Sequence, residues 1–439
     1  MSVGKPSKPV RLFAWAATWV AVTVSTPAGG VGLDGSSLRA LVTQVTGDVT
    51  GTHETPGQRA PGLPRLVPRP LQRLQELSEF TEIRMPPGAE LGLVCADDRW
   101  IHLQGPETGR PAQAWVLARS ASERGISLPP GTFKSLQPEL GRLIRVGGAL
   151  TLERPTRAPW LEPLIPVLFH PRNTNLLEAR PTIVWTASPT AIEYEIEATG
   201  AIAFRVELDA NALGCRPDPL GLGRTVCSIP WPEDQPELPP GESLFLEVGA
   251  RTGIARPLRK DDSRPNRIRR LETAESNRVT SQVQALDELP LDASSRALLV
   301  GRIFTNAGLY SDAVRAYRSF PDPKPPELWV TVGDLYLETS LPGLAFDCYQ
   351  KALESLPEPE SSDRGQIAAG AAAEQGLGRA HFSVQMYSTS AQHFHRAAEL
   401  YLRIGVPEEA LAASLQAEKA EKRASPAAPH ATGSGIQSP

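Results

Sequence analysis

Apolar and polar residues follow two rhythms along this chain, period two in its first two thirds and a helical period after that. Leu41 to Val49 alternates as a strand does, and Gly51 to Pro70 follows as a proline-rich, irregular connection. From Thr81 the pattern tightens into a meander. Thr81 to Met85 predicts a strand, Pro86-Pro87-Gly88 a turn, Leu91, Leu93 and Cys95 the alternating positions of a second strand, Ala96-Asp97-Asp98 a turn, and Arg99 to Leu103 the returning strand. A further turn signal at Leu128 to Thr132 continues the rhythm, and Leu143 to Leu152 closes the block. The cleanest alternation comes next. Ile183 and Trp185 lead into Ile192, Tyr194, Ile196 and Ala198, with Glu193, Glu195 and Glu197 on the opposite face, then Phe204, Val206 and Leu208, and later Leu244, Leu246 and Val248. One apolar face and one solvated acidic face predict a small antiparallel sandwich.

Near the C-terminus Gly301, Phe304, Gly308, Tyr310, Ala313 and Tyr317 recur as Trp329, Gly333, Tyr336, Ala345, Tyr349, Ala352 and Pro357. A third copy reads Leu377, Gly378, Tyr387, Phe394 and Ala397, and a partial fourth shows Tyr401, Gly405 and Ala410. Small residues at a fixed register let two helices cross closely, and the aromatics are expected to fill the space between units. Pro357 is expected to end a helix, because proline has no amide hydrogen. This register resembles the tetratricopeptide repeat over roughly Asp292 to Glu421. Gly301 and Gly333 are 32 residues apart and Gly333 and Gly378 are 45 apart, so the polar segment Glu358 to Gly365 is expected to lengthen a loop. The third copy has Ser390 where the small alanine belongs and His381 where the aromatic belongs. The resemblance implies a stacked α-solenoid that binds a protein or peptide segment. Its concave groove maps to Arg302, Thr305 and Asn306, then Asp334, Leu337 and Glu338, then Arg379, Phe382 and Ser383. The same positions also suit an ordinary solvated helix face.

Two resemblances concern the β regions. The V-x-x-V-x-G-x-V opening at Val42, Val45, Gly47 and Val49, followed by a G-A-x-L-x-L hairpin, resembles the FecR-like domain of bacterial envelope proteins. The strand Pro181 to Trp185 followed by A-I-E-Y-E-I looks like a fibronectin-type or immunoglobulin-like module. The expected organisation is therefore multidomain, all-β followed by an all-α solenoid. It comprises an export signal or anchor at 1–30, a FecR-like domain at 35–158, a sandwich at 159–258, a linker at 259–284, the repeats at 285–423 and a disordered tail at 424–439.

Composition refines this. The 45 basic and 49 acidic residues nearly cancel, leaving no global field for nucleic acid or an anionic membrane. Between Arg256 and Arg270 lie seven basic residues, but Asp261 and Asp262 interleave and no aromatic is present to stack on bases, which favours a solvated linker. Lys5, Lys8 and Arg11 precede an apolar run, Leu12 to Val24, and then small residues, the order of a secretory signal. That segment is either removed or retained as an N-terminal anchor, with Trp15 and Trp19 at the interface, and it is the chain's one expected contact with a membrane. In an oxidising compartment Cys215 and Cys227 are the natural disulfide pair, the alternative being two separate thiols, while Cys95 and Cys348 suit buried positions.

Chemistry is sparse. Gly30 to Gly35 fits G-x-G-x-x-G, but the apolar run before it belongs to the export signal. His53-Glu54 lacks the second histidine of a zinc motif, and His393 and His395 diverge on a helix near His381. Asp97-Asp98 is what a tight turn uses. No cofactor, metal or catalytic site is expected. The expectation is an exported, non-enzymatic scaffold of the bacterial cell envelope or periplasm. The alternative is a surface protein that binds cell-wall polysaccharide through its β domains.

Overall fold

The computed structural model describes residues 39–46, 49–52, 69–70, 76–78, 82–106, 113–116, 125–136, 165–217, 225–252, 259–260, 266–356 and 364–425. They fall into two compact units that divide between Ser127 and Leu128. The export segment, the glycine run at 30–35, His53-Glu54, the stretch 143–152, Pro357 and the tail after Ser425 lie outside the described residues.

The first unit is built of short strands: β1 (Arg39–Thr46), β2 (Thr50–Thr52), β3 (Arg69–Pro70), β4 (Glu76–Ser78), β5 (Glu82–Met85), β6 (Glu90–Cys95), β7 (Arg99–Gln104), β8 (Gln113–Val116) and β9 (Ile126–Ser127). They form two sheets, in the orders β4-β1-β6-β7-β9 and β3-β2-β5-β8. The Pro86-Pro87-Gly88 turn, with Gly88 at φ 73°, carries the chain from one sheet to the other. The Asp97-Asp98 turn closes a true hairpin, pairing Val94 with Trp100. Strand β6 is more covered than alternation alone suggests, because it lies between β1 and β7 and is buried from Leu91 to Cys95. On its second face Gly92 leaves room for the Trp100 indole, whose Nε1 donates to Thr43 Oγ1 at 3.3 Å.

In the second unit a short helix, α1 (Thr132–Leu136), is followed by β10 (Leu168–His170), β11 (Asn175–Leu176), β12 (Ile183–Thr186), β13 (Glu193–Gly200), β14 (Phe204–Asp209), β15 (Arg216–Pro217), β16 (Thr225–Ile229), β17 (Ser243–Arg251), β18 (Arg259–Lys260) and β19 (Arg267–Arg270). One sheet runs β10-β12-β16-β15 and the other β11-β19-β17-β13-β14, with β18 on β17. Ile183, Trp185 and Cys227 of the first pack with Tyr194, Ile196, Leu246 and Ile268 of the second in one core. Cys215 and Cys227 are joined in a disulfide that holds β15 to β16.

Two sequence expectations change here. The acidic face of β13 is not uniformly solvated: Glu195 is 2% exposed and paired with Arg205. Strand β13 lies between β14 and β17, so neighbours on both sides cover the middle of that face. The expected linker 259–284 is also structured over its described residues, 259–260 and 266–284. Ile268 is fully buried in the sandwich while β19 pairs with β17 and, in parallel, with β11. Helix α2 (Thr273–Asp287) starts directly after it in a reciprocal cap between Glu272 and Glu275.

The chain then forms a run of paired helices: α3 (Ala293–Asn306) with α4 (Tyr310–Arg318), α5 (Pro326–Glu338) with α6 (Pro342–Glu354), α7 (Arg364–Ser383) with α8 (Tyr387–Arg403), and a last helix, α9 (Pro407–Ala424). This is a helical repeat, and its close crossings explain the glycines. A Cβ on Gly301 would lie 2.4 Å from the Tyr317 ring, one on Gly333 2.7 Å from Tyr349, and one on Gly378 2.7 Å from Phe394. These rings therefore lie first within their own units, against the glycine of the partner helix. Tyr349 also reaches the next unit, at Gly376. Ser390, in the alanine position, is fully buried and donates to the Gly378 carbonyl at 2.8 Å.

The turns repeat as well. Gly308, Ser340, Gln385 and Gly405 all have φ between 58° and 71° and occupy the same place between consecutive helices. In each, the next amide reaches back five residues to a helix carbonyl: Leu309 to Phe304, Leu341 to Tyr336, Met386 to His381 and Val406 to Tyr401, at 2.7–3.0 Å. This left-handed helix ending caps the last carbonyls without a side chain.

Candidate partner-binding surface

The nine groove positions lie on the first helix of each pair, and every one is half-buried, as the walls of a groove are. Several, however, bond within the fold. Thr305 Oγ1 donates to the Gly301 carbonyl at 2.8 Å, and Ser383 Oγ to the Ala380 carbonyl at 2.7 Å. Asn306 donates to the Ser135 carbonyl, so the end of α1 covers it. Asp334 and Arg379 form an ion pair across two units, with only 16% and 17% of their side chains exposed. Asp334 also accepts from the Tyr349 hydroxyl at 2.7 Å. Burial works against the Arg379 charge, but Asp334, Tyr349 and Glu338 outweigh it and the guanidinium stays protonated. Leu337 packs against the repeat core, and Phe382 meets Tyr387 edge-on while Lys419 sits 5.5 Å from its ring centre.

Two guanidinium nitrogens on this face, Arg302 Nε and Arg379 Nε, are buried and have no hydrogen-bond partner among the described residues. Buried polar atoms of this kind are commonly matched by an ordered water.

A second feature adjoins this face where the sandwich meets the helices. The loop between β10 and β11 grips two successive helix turns with four consecutive side chains. Thr174 and Asn175 hold the α3–α4 turn: Asn175 donates to the carbonyls of Gly308 and Ala307, both at 2.8 Å, and the Tyr310 amide donates to Thr174 Oγ1 at 2.8 Å. Arg172 and Asn173 hold the α5–α6 turn. Arg172, 2% exposed, donates to the Thr339 carbonyl at 2.8 Å, and Asn173 Nδ2 donates to Ser340 Oγ at 3.3 Å. Beside this joint opens a cleft of about 750 Å³, between β19, α2 and the α3–α4 turn. Arg267, Arg269, Arg278, Glu275, Asn306 and Tyr310 are among its walls.

Comparison with known proteins adds little. The chain matches no protein-family model and no curated protein sequence. Among solved structures it is similar to MamA, at 16% identity over 34% of this chain and 86% of that one, with a TM-score of 0.23. It is also similar to BtubC (BKLC) from P. vanneervenii, at 14% identity over 35% and 74%, with a TM-score of 0.21. Likenesses of that size carry no argument; the helical repeat stands on its own packing.

The remaining chemical candidates bond or pack within the fold. His393 Nδ1 lies 2.6 Å from Glu374 and His395 Nε2 2.9 Å from Glu421, so these neighbours in sequence face different helices. His381 stacks on His393, and burial, then the neighbouring His393, lowers its pKa to about 4. Among the described residues no cluster of three His, Cys, Asp or Glu side chains is arranged to hold a metal. Cys95 and Cys348 are buried, and burial pushes both thiols up to about 12.

Sequence reasoning missed the Arg172–Asn175 clamp and the cleft. The hydrogen bonds that join the clamp loop to its partners span 93 to 168 positions, for which the sequence carries no local signal.

Proposed function

We propose that this chain is a non-enzymatic scaffold that binds a protein segment along the first helices of its repeat. The observation that carries the reading is the row of half-buried side chains on α3, α5 and α7, in which Arg302 has no ion pair among the described residues and Phe382 is an apolar anchor. A helical repeat presents such a face without rearrangement, which lowers the entropic cost of binding an extended segment. The sandwich acts as the fixed end of the repeat, since the Arg172–Asn175 loop registers it on two turns at once. Its strand order, β10-β12-β16 facing β14-β13-β17-β19, supports the fibronectin-type reading. The FecR-like reading of the first unit rests on the sequence pattern of Val42, Val45, Gly47 and Val49 and the hairpin that follows.

The same reading places the protein outside the cytoplasm, in the periplasm or cell envelope. The basic-then-apolar order of Lys5 to Val24 and the Cys215–Cys227 disulfide support that location. Among the described residues no helix is long and apolar enough to cross a membrane.

The test is affinity capture from the native host with the full-length protein, comparing wild type with Arg302→Glu and Phe382→Ala. Loss of one defined partner with both variants, while circular dichroism stays unchanged, supports the groove. A partner that survives both substitutions overturns it, and a polysaccharide recovered in its place returns the function to the β domains.

A further inference from the structure

We infer that the cleft at the joint of sandwich and repeat is a second binding site, one that takes a short acidic segment of the partner. This rests on the scaffold reading and names the chemistry of one stretch of its ligand. The whole chain carries a formal net charge of −4, yet three of the cleft's walls are arginines and one is a carboxylate. Arg269 is the neutralised member, 3.3 Å from Glu275 and 3.8 Å from Glu272. Among the described residues Arg267 has only the Ser243 hydroxyl, at 3.2 Å, on its guanidinium, and Arg278 is exposed with no ion pair. Two cations thus face an open volume of about 750 Å³, within the roughly 300–1,000 Å³ of ordinary ligand sites.

Their supports are rigid. The Arg267 amide donates to Asn173 Oδ1 at 3.1 Å, and the Asn173 amide donates to Asn266 Oδ1 at 2.6 Å, so the strand bearing Arg267 is pinned to the clamp loop. Arg278 stands on α2, one residue before the buried Val279. Guanidinium groups carried on such a frame pair with carboxylates in a forked geometry.

The two available cations stand on different elements, β19 and α2, around a volume far larger than one small anion, which favours a segment carrying two carboxylates over a single free anion. The α3–α4 turn, at the end of the helix that bears Arg302, forms another wall, so the same partner is the nearest source of that segment. The recognised feature is two Asp or Glu side chains on such a segment.

The experiment measures fluorescence anisotropy of a labelled hexaglutamate peptide with the full-length protein at low salt. Competing arms contain inorganic phosphate and polygalacturonate. The expected result is saturable binding, weakened at least tenfold by Arg267→Glu or Arg278→Glu, unchanged by Lys422→Glu on the remote helix α9, and unaffected by millimolar phosphate. Both cleft side chains are exposed, so unaltered circular dichroism is expected to accompany the loss. No saturable peptide binding, equal weakening by the Lys422 reversal, or displacement by phosphate or polygalacturonate at lower concentration than peptide each overturns the proposal. Arg302→Glu keeps the two readings apart. If it abolishes partner capture while the cleft reversals do nothing, the scaffold stands and the acidic cleft falls.

Discussion

Gly333→Leu tests the repeat packing at its tightest point. Even the first carbon of the new side chain would lie 2.7, 2.9 and 3.0 Å from three atoms of the Tyr349 ring. Favourable carbon contacts begin at about 3.5 Å. The ring cannot retreat, because Gly376 of α7 lies against it and leaves a Cβ there only 2.3 Å of clearance. Tyr349 is fully buried, with its hydroxyl donating to Asp334. Accommodating leucine therefore means expelling the ring. Lost burial costs about 1.5–3 kcal/mol, and the lost hydrogen bond to a carboxylate costs a similar amount. Leucine's better helix propensity returns about 1 kcal/mol. The expected net loss is about 3 kcal/mol, enough to lower the melting temperature of a unit this size by roughly 5 °C. Urea denaturation followed at 222 nm measures it. The penalty should shrink by about 1 kcal/mol or more in a Tyr349→Ala background, where the obstruction is gone. A Gly333→Leu protein as stable as wild type, or the same penalty with and without the ring, would refute the assignment.

Four further expectations follow from particular contacts. Asp334→Lys should destabilise by about 3–5 kcal/mol, because it strands the buried Arg379, and a wild-type urea midpoint would show that the pair is not structural. Gln385→Gly should stabilise, and Gly308→Ala should destabilise, each by about 1 kcal/mol or more, since both positions hold a left-handed φ; opposite shifts in the melt would contradict the common turn. Burial, assisted by Arg315 at His170 and by His393 at His381, lowers both histidines to about 4. The unfolded chain binds those protons from about pH 6.5, so their contribution is full above that pH and is lost as pH falls toward 4; His381→Gln should flatten this decline, and an unchanged slope would contradict it. Alkylation of the denatured, unreduced protein should modify two of the four cysteines, and reduction should cost about 3 kcal/mol; four modified thiols would remove the disulfide.

What the sequence disclosed and what it concealed follow from the range of the interactions involved. The glycine register was legible because a close helix crossing excludes every side chain, so Gly301, Gly333 and Gly378 mark it unaided. The turn at Asp97-Asp98 was legible for a similarly local reason. Glu195 was misjudged because alternation assigns a side of a strand but not what covers that side, and here Arg205 of the neighbouring strand does. The arginines of 259–284 point to a linker, although Glu272 and Glu275 carry the signal of a capped helix start and Ile268 is the single apolar anchor of a strand.

The groove shows the same limit in its most consequential form. Spacing alone puts Asp334 and Arg379 on the first helices of two units, and so among residues available to a partner. Only the stacking of those units shows that they neutralise each other, with Tyr349 as a third member. A charge reversal at Asp334 therefore reports on folding, whereas Arg302, half-buried on α3 with no ion pair among the described residues, is the position whose reversal tests binding. The distinction extends to the cleft. Arg269 is held by two glutamates and belongs to the frame, while Arg267 and Arg278 are the side chains whose charge is left for a ligand. Separating the charges that build a repeat from the charges it presents is what makes its binding face testable, and that separation rests on contacts between units rather than on the repeat register.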